Sequence, residues 1–187
     1  MENDLLKAFI EQCNANILLH GEENPLLYEV CFFKIYVKFE CLVSTLFEMY
    51  AVGESSSLGY SPKRKLNFED REHFNAVLRK NDKQYNCIDK IQYLSQHILR
   101  ENPFEILYND CNNHDLFDKM IALRNYIAHE SPESRQKYQR CCLSNGVYIE
   151  PHIFLKKIHK NLHKSYYTIF VQTLSNVSDY LIGNKPN

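Results

Sequence analysis

Arg124 and His129 stand five residues apart in the stretch Leu123-Arg124-Asn125-Tyr126-Ile127-Ala128-His129-Glu130. A guanidinium is a planar fork of donors suited to phosphate. An imidazole moves protons near neutral pH. The pair could therefore hold a phosphate and move a proton. On an ideal helix this spacing leaves the two side chains about 140° apart. Two metal ligands on one helix need a spacing of three or four, so the pair is not a metal site. Two copies of the helix packed about a two-fold axis can bring both groups to a shared cleft. His129 falls in the last turn, where the helix dipole favours a cation. The competing reading is a solvated, salt-bridging pair on a helix surface, which spacing alone does not separate from a site.

The segments that must position this stretch read as helices. Glycine (5) and proline (6) are scarce among 187 residues, and hydrophobic residues make up 44%. That balance favours long helices over a many-turned strand fold. Asp4 to Leu19 places Leu5, Phe9, Cys13 and Ile17 on one side. Asn24-Pro25 reads as an N-cap followed by proline at the first helical position. From there to Val52 runs a long apolar helix of about 40 Å, expected to be the central packing element. Gly53 to Asn67 is a loop. Further helices are predicted at Phe68–Arg79, Asn86–Leu99 and Asp115–Glu130, with a short helical turn over Phe104–Tyr108. Pro132 disfavours helical geometry at Ser131 and closes the motif helix. Ser131 to Glu150 is predicted to be irregular, with Asn145-Gly146 able to close a small β-hairpin. Pro151 opens a last helix reaching Ile182. The expected architecture is a single all-α domain over residues 1–187, an up-and-down bundle with loops at 53–67 and 131–150. On the motif helix, Leu116, Met120, Leu123 and Ile127 should pack on their own protomer.

The stretch from Leu116 to Ser131 closely resembles the signature helix of the HEPN superfamily: an Arg, a polar residue (here Asn125), then a few residues and a His. The helical layout from Pro25 onward is also similar. The resemblance implies a metal-independent endoribonuclease that acts as a dimer, of the toxin–antitoxin, abortive-infection or other prokaryotic defence type. It implies Arg124, Asn125 and His129 as catalytic residues, with no cofactor. Other members are non-catalytic modules that bind RNA, a nucleotide or a protein, and that alternative stays open. One departure is Ser131: toxins of this superfamily paired with a nucleotidyltransferase carry tyrosine two residues after the histidine. The chain looks closer to the stand-alone defence type. The partners implied are RNA, a second copy of the chain and an antitoxin or defence-complex protein.

Charge is uneven along the chain. From Ser134 to Lys164 there are seven Lys and Arg against the single Glu150, a net +6, while the whole chain carries −1. A basic segment just after His129 suits a phosphate track, so Arg135, Lys137, Arg140, Lys156 and Lys160 are the expected RNA contacts. A solvated helix face with snorkelling lysines reads the same way. Lys63-Arg64-Lys65 is a second short basic patch. Glu40 and Glu48 interrupt the long apolar helix and need partners there, Arg124 among the candidates. His159 and His163 are four apart on the predicted last helix, but no third ligand or intervening Glu accompanies them. No metal is expected.

Seven cysteines, without a CxxC pair, give no disulfide framework. They read as buried small hydrophobes in a reducing compartment, with Cys141-Cys142 as adjacent loop residues or a redox pair. The acidic start of the chain does not fit a signal peptide, and charges interrupt the longest apolar stretch. A cytoplasmic protein without a membrane partner is expected.

Overall fold

Helix α1 (Glu2–His20) ends where Gly21 takes a backbone bond from its amide to Ile17 O at 2.8 Å. A Cβ at Gly21 would sit 2.5 Å from that same oxygen, so only glycine closes the helix this way. The computed structural model describes residues 2–80, 88–108 and 111–184. After a turn at Asn24-Pro25, α2 (Leu27–Val52) follows. Then come α3 (Arg71–Lys80), α4 (Ile88–Ile98), a 3₁₀ turn (Pro103–Leu107), α5 (Cys111–His129), α6 (Pro132–Leu143), α7 (Pro151–Lys156) and α8 (Tyr166–Leu181). Among the described residues the protein is all-α, with no sheet. Among the described residues, no helix is long and apolar enough to cross a membrane.

The early helices and the long α2 match the sequence reading, as does the short turn near Phe104. The expected start of the fourth helix, Asn86, lies outside the described residues. Two expectations after the motif helix are overturned. The segment 131–150 is not irregular and holds no hairpin, because α6 fills most of it. Ser131 is extended and accepts from Ser134 N at 3.2 Å, while Pro132 takes the first helical turn. Proline thus both closes α5 and opens α6. Ser144 and Asn145 adopt left-handed conformations (φ 50° and 57°), and Asn145 N bonds Gln139 O at 3.0 Å. The Asn-Gly dipeptide ends a helix instead of turning a hairpin. The predicted last helix is also two helices, interrupted from Lys157 to Ser165.

The chain divides into two compact units, with residues of α1, α2 and α8 shared out between them. The first contains residues 1–6, 38–110 and 176–187. Its core is phenylalanine-rich: Phe47 meets Phe74 and Phe104, each edge-on at 5.7 Å. Tyr50 donates to Leu181 O at 2.6 Å, and Ser56 donates to Ile182 O at 2.7 Å, fastening the loop after α2 to the end of α8. The Lys63-Arg64-Lys65 patch is tied down in this unit. Lys63 pairs with Glu101 at 2.8 Å, Arg64 donates to Ala51 O at 3.2 Å and Lys65 to Gln96 O at 2.7 Å. Glu48 accepts from Asn75 at 2.8 Å.

The second unit contains residues 7–37 and 111–175, and with them the whole motif. Its buried core includes Phe32, Ile35, Met120, Leu123, Tyr138, Phe154, Phe170 and Leu174. Ring contacts run unbroken through it. Tyr126 stacks on Tyr138 at 5.1 Å, Tyr138 meets Phe154 at 6.0 Å, Phe154 meets Phe170 at 6.3 Å and Phe170 meets Phe32 at 5.7 Å. The motif helix is thereby seated on α6 and linked through Tyr138, ring by ring, to α7, α8 and the start of α2.

Candidate functional site

Arg124, Asn125 and His129 all lie on α5. The helix is unbroken between them, so Arg124 and His129 keep an axial separation of about 7.5 Å and the wide angular offset. Arg124 is half-buried. Its Nη1 donates to Asn125 Oδ1 at 3.0 Å, and its guanidinium carbon lies 5.9 Å from the Phe33 ring centre. Asn125 thus holds one arm of the guanidinium fork. His129 is the exposed last residue of α5. Immediately after it, Glu130 turns left-handed at φ 47°, with its N–H bonding Tyr126 O at 2.9 Å. A non-glycine residue in that region carries strain, and the chain accepts it here to reverse direction into α6.

The expected apolar stripe of α5 is rotated. Met120 and Leu123 are buried, but Phe117 and Ala122 join them, while Leu116 and Ile127 are only half-buried. Ile127 instead lines a hollow of about 310 Å³ with Glu29, Tyr126, Glu130, Arg135, Tyr148, Glu150 and Pro151. Inside it, Tyr148 donates to Glu150 at 2.9 Å and shares a bond with Tyr126 at 2.9 Å. Since Tyr148 spends its proton on the carboxylate, Tyr126 must be the donor in that second bond. Arg135 lies 4.2 Å over the Tyr148 ring. Glu29 accepts from both the backbone N–H and Nδ1 of His152 at 2.9 Å each. Burial pushes the Tyr148 phenol well above its usual range, and the Tyr126 and Glu150 bonds add to this. Tyr138, stacked below Tyr126, is raised chiefly by burial too. Both are held as neutral phenols.

The expected RNA contacts separate into three places. Lys137 and Arg140 line an open hollow of about 540 Å³ on the outer face of α6, with Glu133, Gln136, Gln139 and Asn145. Arg135 belongs to the tyrosine hollow. Lys156 is committed elsewhere: it pairs with Glu22 at 3.1 Å and lies 5.6 Å from the Tyr28 ring centre. Lys160 stands exposed on the connection between α7 and α8. His159 and His163 also fall on that connection and not on a helix. His159 Nδ1 accepts from Asn161 N and Leu162 N at 3.3 Å each, so it closes a turn. Among the described residues, no group of three or more His, Cys, Asp or Glu is placed to hold a metal ion.

Cys141 and Cys142 sit within α6, not in a loop. Cys142 is buried, its Sγ lies 3.4 Å from Lys119 O, and burial drives its thiol strongly upward, which suppresses thiolate chemistry. Cys13 and Cys31 are buried, whereas Cys41 is exposed.

Tyr148, Glu150, Glu29 and His152 are the neighbours of the motif that the sequence did not reveal. Glu29 and His152 are separated by 123 positions, and no periodicity connects them. No family model, no curated protein and no solved structure matches the chain.

Proposed function

We propose that the chain is a metal-independent endoribonuclease with a HEPN-like bundle, acting as a dimer in prokaryotic defence. The observation that supports this reading best is the division of labour along α5. Arg124 is half-buried and oriented by Asn125, while His129 is exposed at the helix end. A phosphate-binding cation gains from such pre-orientation, because the donors need no rearrangement as charge develops. A proton-transfer group gains from access to substrate.

In the proposed reaction the ribose 2′-oxygen attacks the adjacent phosphorus and the bond to the 5′-oxygen breaks. His129 takes the 2′-OH proton or supplies one to the leaving 5′-oxygen. Arg124 stabilises the extra negative charge on the phosphoryl oxygens. The products are a 2′,3′-cyclic phosphate and a 5′-OH. The separation of Arg124 from His129 on one helix favours a cleft completed by a second copy. Lys137 and Arg140, exposed on the helix that follows His129, would carry the RNA backbone.

The test is cleavage of a labelled RNA in the presence of EDTA, with end-group analysis of the products. Cleavage that stops with EDTA, or that persists unchanged in both Arg124→Ala and His129→Ala, overturns the reading. A second reading, a non-catalytic module of the same fold binding RNA, nucleotide or protein, is favoured by one observation. Arg124 spends part of its bonding capacity on Asn125 and Phe33 inside the chain. Induced expression separates the two: a ribonuclease slows growth, and the double substitution at Arg124 and His129 relieves it.

A further inference from the structure

The interruption between α7 and α8 is a built object. Ile158 pairs with Ser165 in an antiparallel bridge. His159 N bonds Lys164 O at 2.8 Å, and Tyr166 N bonds Lys157 O at 3.1 Å. The His159 ring closes the tip onto two backbone amides, and His163 accepts the left-handed φ of 52° that the turn demands. At its base, Tyr166 stacks on Phe154 at 4.4 Å and meets the His159 ring at 5.5 Å. The hairpin is therefore preformed, its backbone largely satisfied from within, and anchored to buried aromatics.

Its side chains are mixed in a particular way. Lys157, Lys160 and Lys164 are exposed, and no Asp or Glu occurs from Pro151 to Ser178. Ile158 and Leu162 are exposed as well, at 57% and 53%. Ile153, one turn before the hairpin on α7, is 49% exposed.

We propose that this hairpin seats the protein on an anionic lipid surface, with Ile158 and Leu162 entering the headgroup boundary and the lysines meeting lipid phosphates. Charge complementarity restricts the partner to a polyanion. The two aliphatic side chains then choose between polyanions. A nucleic-acid backbone engages the lysines but leaves Ile158 and Leu162 in water. A bilayer interface takes up both, since lysine stems extend along the apolar boundary while their heads stay hydrated. Internally bonded backbone lowers the cost of approaching the acyl region, and a preformed loop loses little conformational freedom on docking. The expectation of no membrane partner rested on the lack of a spanning segment. A surface-seated hairpin is a separate device and does not depend on the ribonuclease reading.

The test is co-sedimentation of the full chain with phosphatidylcholine vesicles, with and without phosphatidylglycerol. Two variants accompany it: Lys157→Ser/Lys160→Ser/Lys164→Ser and Ile158→Ser/Leu162→Ser. All five positions are exposed, and circular dichroism checks that the fold persists. Binding is expected only with phosphatidylglycerol. The lysine variant should lower partitioning by about a hundredfold and the aliphatic variant by about tenfold. A single-stranded RNA oligonucleotide, measured by anisotropy, is the control. Wild-type protein that ignores anionic vesicles overturns the proposal. So does an aliphatic variant that binds them undiminished, or a lysine variant whose only defect is in RNA binding.

Discussion

Two aromatic clusters among the described residues, one in each unit, are built from different residues. In the first unit, the fully buried Phe47, Phe74 and Phe104 meet edge to face, and Tyr50 beside Phe104 turns its hydroxyl to Leu181 O. In the second, the hydroxyls of Tyr126 and Tyr148 bond each other, Tyr148 donates to Glu150 and Tyr138 donates to Ile149 O at 3.1 Å. A buried phenylalanine contributes area alone, whereas a tyrosine at the margin of a core keeps one end apolar and the other wet. The comparison teaches where to look for function. The first cluster is sealed, while the second opens beside the residues that flank His129.

The sharpest way to break that contrast is at His129. Its alanine variant should lose RNA cleavage by about 10²- to 10⁴-fold while its thermal transition stays with the wild type, because the side chain is exposed. Initial rates and calorimetry on the same preparation decide it, and equal rates would remove the functional half of the comparison. Next in size is Phe47→Ala. It should cost about 3–5 kcal/mol in denaturant unfolding, because a sealed cluster collapses poorly around a void. A loss below about 1 kcal/mol would mean that the first cluster is not a close-packed core.

Alkali should separate the clusters next. Tyr138 and Tyr148 hold protons more tightly folded than unfolded, where a phenol titrates near 10. Above that pH the unfolded chain binds fewer protons than the folded one, so stability falls as pH rises. Below it their contribution is constant. Absorbance of tyrosinate followed through an alkaline titration should therefore show these phenols ionising together with unfolding. Tyr138→Phe should flatten the alkaline loss, and Phe47→Ala should not alter its slope. The smallest effect expected is at the joint: Ser131→Ala removes the α6 cap and should cost about 1 kcal/mol in the same denaturant experiment.

How much of this was legible in the sequence follows from the range of the interactions involved. The motif helix and α2 were readable because their signals are local: periodicity, a proline, a glycine. Ser131-Pro132 carried the same cap-and-proline grammar as Asn24-Pro25, yet the Asn145-Gly146 signal beyond it suggested a hairpin. The break after Lys156 contains neither proline nor glycine. It is stabilised by the His159 ring capping two amides and by a left-handed His163, which no propensity announces. Arg124, Asn125 and His129 share one helix; residue type and the resemblance of Leu116 to Ser131 to a signature helix made them candidates, whereas spacing alone left a surface pair equally open. Glu29, Tyr148 and His152 reach the same unit from distant segments, so only tertiary structure assembles them. Lys156 shows the opposite failure: its charge was visible, but its engagement by Glu22 was not.

The two-residue joint at Glu130-Ser131 also has a kinetic meaning. α5 and α6 are neighbours in sequence and pack on each other, so their pairing closes a very short loop and costs little chain entropy. The Glu29–His152 bond closes a loop of more than a hundred residues. Local contacts form quickly and distant ones slowly. The helical hairpin that carries Arg124 and His129 is therefore set to assemble early, before the long-range bond beside it is in place. The strained turn that reverses the chain after His129 thus also schedules the order in which this unit becomes complete.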